Sequence, residues 1–491
     1  MALMRATQSE ILVKIHRADG STLDVSDLLV QYSDNHPVNG IPIFSLALPL
    51  RYGKAPFVET IRTGDIVEVA FLAQPDPNRG ARYYTAMVGV IRELGQQQAM
   101  TQNSLKQLTV ISGQHLAGWL GNETINYYLA AVMRGRLETL LGAEGVYRQF
   151  LSGVLRAGGL DEAAHLFLQQ IAFEVIGIKR PQGDISKLLG YRLKSLAGRG
   201  AFYATWGNYQ GTAWGILDAY SDKPLHELYA TTLPLEEFKQ LDGYKNTPVT
   251  WGEDKAVPLL MLRPSPFPYA LPGGGGTLGD WPRLPLHDLT QEYLLLESSE
   301  DHTADYSDKE VYTAFFVNAA ALSVSETFAK TYSPPVVSIP KYQRYGYRPL
   351  TWQTVLWQNT AKESAPEFFR SLNWRIAGQW NRMDEYAGAN FSIRLAPWIK
   401  PGSRVRYYNQ LGDHQSKMEG YVESVAHTFV PGGVRKTALR IIRALPVATY
   451  QTPAFFAWGL SEIKPLKDLL LPVANVQLEE TRDRSRIDPS P

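Results

Sequence analysis

Two stretches of this 491-residue chain, one near each end, carry the same apolar pattern at the same distances from a pair of glycines. An internal repeat of this kind constrains the fold more than any other feature of the sequence. Aligning Gly64 with Gly402 and Gly89 with Gly420 sets Val67 and Val69 against Val405 and Tyr407, and Val90, Ile91 and Leu94 against Tyr421, Val422 and Val425. Nineteen residues beyond the second glycine, Leu108 meets Leu439, and Val110 and Ile111 meet Ile441 and Ile442. The copies differ in the loop inside the glycine pair, which is seven residues longer in the first copy, where Pro75 and Pro77 lie.

Apolar residues that alternate with polar ones are the pattern of strands with one buried face. Ile11, Val13 and Ile15 show it, as do Phe44, Leu46 and Leu48, and further strands are expected over 66–71, 84–94 and 105–112. The C-terminal copy predicts strands over 391–395, 403–408, 420–430 and 436–443. Ahead of it, Ser364 and Glu367 have capping-box spacing, and Phe368, Phe369, Leu372, Ile376 and Trp380 make one helical stripe.

Between the ends the texture is mixed. Helical spacing over about 125–175 predicts three helices ended by glycines, and strand-like pieces recur at 259–262, 293–296 and 311–317. Residues 273–276 are four glycines between prolines, read as a surface loop. The tail after Asp483 is charged and Pro-containing, and is read as partly disordered.

Composition narrows the function. A chain of this length is expected to hold two to four domains. Its 44% hydrophobic and 20% charged residues are those of a folded protein. Lys and Arg (49) balance Asp and Glu (48), so no global field draws it to nucleic acid or to an anionic membrane. There is no cysteine, which removes disulfides, thiolate metal sites and cysteine nucleophiles together. No apolar run is long enough to span a bilayer, and residues 1–20 are not read as a signal peptide.

Motifs for chemistry are absent. The nine histidines are dispersed, and His226-Glu227 starts an HExxH-like string that fails at Ala230. There is no Walker loop, GxGxxG turn or GxSxG elbow. Glu297, Glu300, Asp301, Asp305 and Asp308 can supply calcium ligands or a carboxylate pair, but match no EF-hand and read equally as a solvated loop. Tyr203, Trp206, Tyr209, Trp214 and Tyr220 suit either a binding face or a packed core.

The string Lys400-Pro401-Gly402-Ser403-Arg404-Val405-Arg406-Tyr407, followed by Gly420-Tyr421-Val422-Glu423-Ser424-Val425-Ala426-His427-Thr428-Phe429 and Gly432-Gly433, resembles the tube-like domain of phage baseplate hub proteins. That family carries a PGxxV strand, a GYxxVESVxHxF strand and a Gly-bearing turn. Leu262-Arg263-Pro264-Ser265-Pro266-Phe267 is similar to its RPxPF element, with Asp308-Lys309-Glu310-Val311 after a spacer. The Tyr- and Trp-rich middle and the glycine tract depart from it.

The resemblance implies an α+β, multidomain chain: two tube-like antiparallel β domains flanking a mixed, partly helical middle. The expected divisions are 1–114 (tube-like), 115–200 (helical), 201–345 (mixed, with the Gly-rich loop), 346–450 (tube-like, with its preceding helix) and 451–491 (extension). The implied function is a non-enzymatic baseplate hub in the virion tail of a contractile injection machine. A homotrimeric ring would join the six-fold tail tube protein to the three-fold central spike protein, touch baseplate wedge proteins, and let tape-measure protein and DNA pass without binding DNA specifically or inserting in a membrane. Alternatives are a tail-associated peptidoglycan hydrolase, a carbohydrate-binding tail module, and another tail ring such as a tube initiator or distal-tail protein. The implied structural and interface residues are Gly64, Val67, Val69, Gly89 and Ile91; Arg263, Pro264, Pro266 and Phe267; and Gly402, Val405, Tyr407, Gly420, Val422, His427 and Phe429. No cofactor, metal or catalytic residue is implied.

Overall fold

The structure, a computed structural model, describes residues 10–118 apart from 18, 53–54, 75–79 and 102–103, then 121, 124–125, 211–212, 214, 218, 223–224, 226–239, 250–270, 276–290, 303–305, 309–319, 335–354, 365–411, 414–451 and 463–465. The helices expected over 125–175, the strand at 293–296, most of the glycine tract and acidic stretch, all but Trp214 of the middle aromatics, and the tail lie outside these residues. The described residues form two compact units. The first draws on Met1–Ser265, Leu284–Asp305 and Gly388–Ala444; the second draws on Pro266–Arg283, Tyr306–Ala387 and Leu445–Pro491.

Among the described residues the first unit is built on one thirteen-stranded sheet. Its N-terminal strands are β1 (Ile11–His16), β2 (Thr22–Asp24), β3 (Gln31–Pro37), β4 (Ile43–Pro49), β5 (Ile66–Ala73), β6 (Arg82–Thr101) and β7 (Ser104–His115). A separate antiparallel pair, β8 (His226–Pro234) and β9 (Ala256–Pro264), belongs to the same unit. The sheet also takes β10 (Leu286–Asp288) and β11 (Thr303–Asp305).

The second unit contains β12 (Ala314–Ala319), β13 (Val336–Ser338), β14 (Pro349–Thr354) and the helix α1 (Ala365–Trp380). The chain then returns to the first sheet with β15 (Ala387–Arg394), β16 (Arg404–Leu411), β17 (His414–Phe429) and β18 (Arg435–Pro446), and ends its described course at β19 (Ile463–Pro465).

The order across the large sheet is β11-β15-β18-β17-β3-β4-β7-β6-β5-β1-β2, with β16 on β17 and β10 on β16. The two β ends of the sequence therefore share one sheet, because β3 pairs antiparallel with β17. Within it the same order occurs twice: β3-β4-β7-β6-β5-β1 is matched by β11-β15-β18-β17-β16-β10. The outermost pairs differ, β1 running antiparallel to β5 but β10 parallel to β16.

The period-two reading explains the packing. Along β1 the burial alternates strictly, with Ile11, Val13 and Ile15 inside, and they join Leu46, Leu48, Val67, Val69, Phe71, Ile91, Ile111 and Phe429 in one core. Each such side chain contributes about 1.5–3 kcal/mol on burial. Bulges between Val69 and Ala70 and between Ile91 and Glu93 bend the long β6, whose twenty residues run beyond the short strand expected over 84–94.

In the second unit the sheet order is β14-β12-β13-β19, and α1 packs against β12. The expected helical stripe lies on α1, where Ile376 is buried and Trp380 half-buried. Val311–Val317 was expected as strand throughout, but the strand begins at Ala314: the Thr313 hydroxyl turns to the carbonyl of Gly346 (2.9 Å) and the main chain joins β14 only from there. No helix among the described residues is long and apolar enough to cross a membrane.

Candidate functional site: the seam between the two copies

The glycine alignment is reproduced bond for bond. Gly64 N–H donates to the Ile91 carbonyl (2.9 Å) and Gly402 N–H to that of Val422 (2.8 Å); in return Ile91 N–H donates to Asp65 (2.9 Å) and Val422 N–H to Ser403 (3.0 Å). Val67 stands opposite Gly89, as Val405 stands opposite Gly420, and Val69 opposite Met87, as Tyr407 opposite Met418. Both turns place a glycine at positive φ, +98° for Gly64 and +83° for Gly402, which side chains with a Cβ adopt only at a cost.

The second glycine of each pair is needed for space. A Cβ on Gly89 would lie 2.5 Å from the Gln114 carbonyl oxygen and 2.6 Å from the Phe44 ring, and one on Gly420 would lie 2.4 Å from Ile441 Cγ2. The valine-opposite-glycine pair thus lets a neighbouring side chain lie across the strand.

Where the copies meet, β3 and β17 pair from Ser424 opposite Pro37 to Phe429 opposite Tyr32. Asp34 lies at the centre of this seam, fully buried. One carboxylate oxygen accepts both the main-chain N–H and ring Nδ1 of His427 (2.8 Å each); the other accepts the Tyr32 hydroxyl (2.9 Å) and stands 3.0 Å from His36 Nε2. The side chain thus takes the place of a main-chain acceptor in the ladder.

Burial alone would raise the Asp34 carboxyl, but the charges and hydrogen bonds of His427 and His36 outweigh it and hold the group far below the usual carboxylate range. Burial pushes His36 down. It also pushes the Tyr32 phenol well above its ordinary value, with the Asp34 charge adding to it, so Tyr32 is a neutral donor.

Polar groups continue beneath the seam. His115 Nδ1 accepts the Ala117 N–H (3.2 Å), which puts its proton on Nε2, 3.3 Å from the Thr232 hydroxyl; burial lowers this imidazole to about 3. Lys400, from the motif turn, is half-buried with its amine on the Thr85 carbonyl (3.1 Å), and desolvation pushes it down against the pull of Asp254. The Tyr421 hydroxyl donates to Glu227 (2.7 Å), and Glu419 binds Arg404 (2.9 Å) and Arg406 (2.8 Å).

Asp34, His36 and His427 are the one group of three close metal-ligating residues among the described residues, with ligand atoms within 4.8 Å of one another. The donor set argues for a hydrogen-bonded lock. Both carboxylate oxygens are already engaged by protein donors and His427 Nδ1 directs its proton to one of them, which leaves only the imidazole Nε2 atoms as potential ligands. Phe71 packs against the same imidazole at 5.8 Å.

The expected residues fall into five places. Gly64, Val67, Val69, Gly89 and Ile91 lie in the first copy, and Gly402, Val405, Tyr407, Gly420 and Val422 occupy corresponding positions in the second. His427 and Phe429 lie on the seam, facing β3. Arg263 and Pro264 end β9, whereas Pro266 and Phe267 are buried in the second unit, where the Phe267 ring lies 6.3 Å from Trp281 and Trp281 stacks on Tyr450 at 4.3 Å. His226, of the HExxH-like string, starts strand β8, and its neighbour Glu227 is the acceptor for Tyr421.

Sequence reasoning missed Asp34, His36, His115 and Lys400. The one available signal was polar residues at alternate positions of a strand otherwise bounded by apolar ones, in Tyr32, Asp34 and His36.

No protein-family model and no curated protein matches the sequence. Solved structures that match include phage tail proteins and a component of the type VI secretion system. The 43 kDa tail protein of prophage MuSo2 from Shewanella oneidensis has a TM-score of 0.42 at 12% identity, over 89% of this chain and 99% of that one. Prophage tail protein gp18 from Listeria monocytogenes EGD-e has a TM-score of 0.40 at 10% identity, over 92% and 100%. The E. coli c3393 protein, a component of the type VI secretion system, has a TM-score of 0.34 at 9% identity, over 89% and 77%.

Proposed function

We propose that this chain is a non-enzymatic structural subunit of a phage tail baseplate, the hub whose trimeric ring adapts the six-fold tail tube to the three-fold central spike. The observation that carries the reading is the doubled module: two copies with the same strand order and the same glycine-to-strand hydrogen bonds, fused edge to edge through β3 and β17. Three such chains present six modules around one axis. A closed ring also removes the free sheet edges that otherwise invite uncontrolled pairing. The motif resemblance of residues 400–433 and 262–267 supports the same reading. The lumen would pass tape-measure protein and DNA, and balanced charge suits a channel that holds neither tightly.

Cryo-electron microscopy of the assembled particle tests it. Three chains per ring, each giving two modules, are expected. Six chains per ring, each using one module, sinks the hub reading and favours a tube initiator or distal-tail ring; cell-wall cleavage by the purified protein sinks the non-enzymatic part.

A further inference from the structure

The turn that follows β3 holds the one Asn-Gly pair of the sequence, Asn39-Gly40. It begins where the seam ends: Val38 N–H donates to the Glu423 carbonyl (2.7 Å), and the chain then turns back towards β4. Two local demands select the pair. Asn39 sits at φ +63°, a conformation that asparagine enters more readily than most other side chains. A Cβ on Gly40 would lie 2.7 Å from Pro37 Cγ, so the next position takes a larger residue only if the Pro37 ring shifts.

Strand β8 holds this turn. Leu228 N–H donates to Asn39 Oδ1 (3.1 Å), and Ala230 N–H donates to the Gly40 carbonyl (3.3 Å). The first bond fixes which side-chain atom is the oxygen, and it draws electron density away from Asn39 Cγ. Asn39 is nonetheless exposed to solvent. A polarised amide carbon, open to water and followed by a main-chain nitrogen with no Cβ beside it, is arranged for attack within the chain.

We propose that Asn39 is a site of unassisted deamidation in the folded chain. The Gly40 nitrogen gives its proton to solvent base and attacks Asn39 Cγ. The new N–C bond closes a five-membered ring, while Leu228 N–H stabilises the negative charge that develops on Oδ1. The Cγ–Nδ2 bond then breaks, and the side-chain nitrogen takes a proton from water and leaves as ammonia. Water opens the resulting imide at either carbonyl, which gives aspartate or isoaspartate at position 39. Water is the only co-reactant. Residues 38–41 carry no charge, so either product places a new carboxylate in the turn. Isoaspartate also adds a carbon to the main chain ahead of Gly40 and displaces its carbonyl from Ala230 N–H. The change falls at the end of the strand through which the two copies join, and it is independent of the ring reading.

The full chain, held at neutral pH and sampled over days with circular dichroism to show that it stays folded, is mapped by peptide mass spectrometry. The peptide containing Asn39 should gain the mass of amide-to-acid conversion and split into aspartate and isoaspartate forms. Asn373 and Asn390, each followed by an aromatic residue, should keep their amides over the same period. Asn39→Gly keeps the backbone conformation open to the turn and removes the amide, so the acidic form of the intact protein should no longer build up on ion exchange. Retention of the Asn39 amide in the folded chain, whether or not the urea-unfolded chain converts, overturns the proposal. Equal conversion at Asn373 or Asn390, or an unchanged build-up of the acidic form in Asn39→Gly, overturns it too.

Discussion

The Asp34 carboxylate accepts both the main-chain N–H and the ring Nδ1 of His427 at 2.8 Å, although the two residues lie 393 positions apart. This contact joins the beginning of the first copy to the end of the second. Removing it strands a buried N–H, an imidazole and the Tyr32 hydroxyl. Asp34→Ala should therefore destabilise the protein by about 3–5 kcal/mol in urea unfolding. Tyr32→Phe, which removes one donor and leaves the others, should cost about 1 kcal/mol. Equal losses from both would show that Asp34 acts by packing alone.

The same seam distinguishes a hydrogen-bonded lock from a metal site. Dialysis against a chelator should leave the melting temperature unchanged, and elemental analysis of the purified protein should find no stoichiometric transition metal. A chelator-induced drop of several degrees, reversed by one ion, would replace the lock with a metal centre.

Close approach at the paired glycines predicts a matched set of defects. Gly420→Ala forces a methyl within 2.4 Å of Ile441, and Gly89→Ala within 2.5 Å of the Gln114 carbonyl. Each should cost about 1–3 kcal/mol. Gly80→Ala, where a Cβ meets nothing within 4 Å, should be near neutral. Thermal melts of the three variants decide this, and a neutral Gly420→Ala would refute the packing argument.

Acid should weaken the first unit. His115 is neutral in the fold, lowered to about 3, whereas in the unfolded chain it protonates below about pH 6.5. The unfolded state therefore binds the extra proton, and stability falls as pH drops from 6.5 towards 3. His115 alone should remove about 2 kcal/mol between pH 6.5 and pH 5, and His36, also lowered, adds in the same direction. Urea titrations at the two pH values measure this, and an unchanged midpoint would contradict the buried neutral imidazole.

How much of this was legible beforehand differs by residue. Alternation determined β1 and β4, because a strand with one buried face must place Ile11, Val13 and Ile15 on the same side. The repeat too was legible, since Gly64 and Gly402 are required by a backbone conformation and Gly89 and Gly420 by close packing, both local demands that leave the same residue at the same spacing. The helix over Ala365–Trp380 followed from its stripe.

The sequence could not disclose that the two ends form one sheet, or that Asp34 meets His427. Strand pairing between distant segments depends on which edges are free and on where the intervening chain carries them, and neither is written in local periodicity. Asp34, His36 and His115 read as ordinary polar residues until the tertiary structure buries them close together, where an unpaired charge is costly. The sequence by itself determined two similar sheets; the fold decided that they join through β3 and β17, where pairing of two distant strand edges also gives the buried Asp34 carboxylate its donors from His427 and Tyr32.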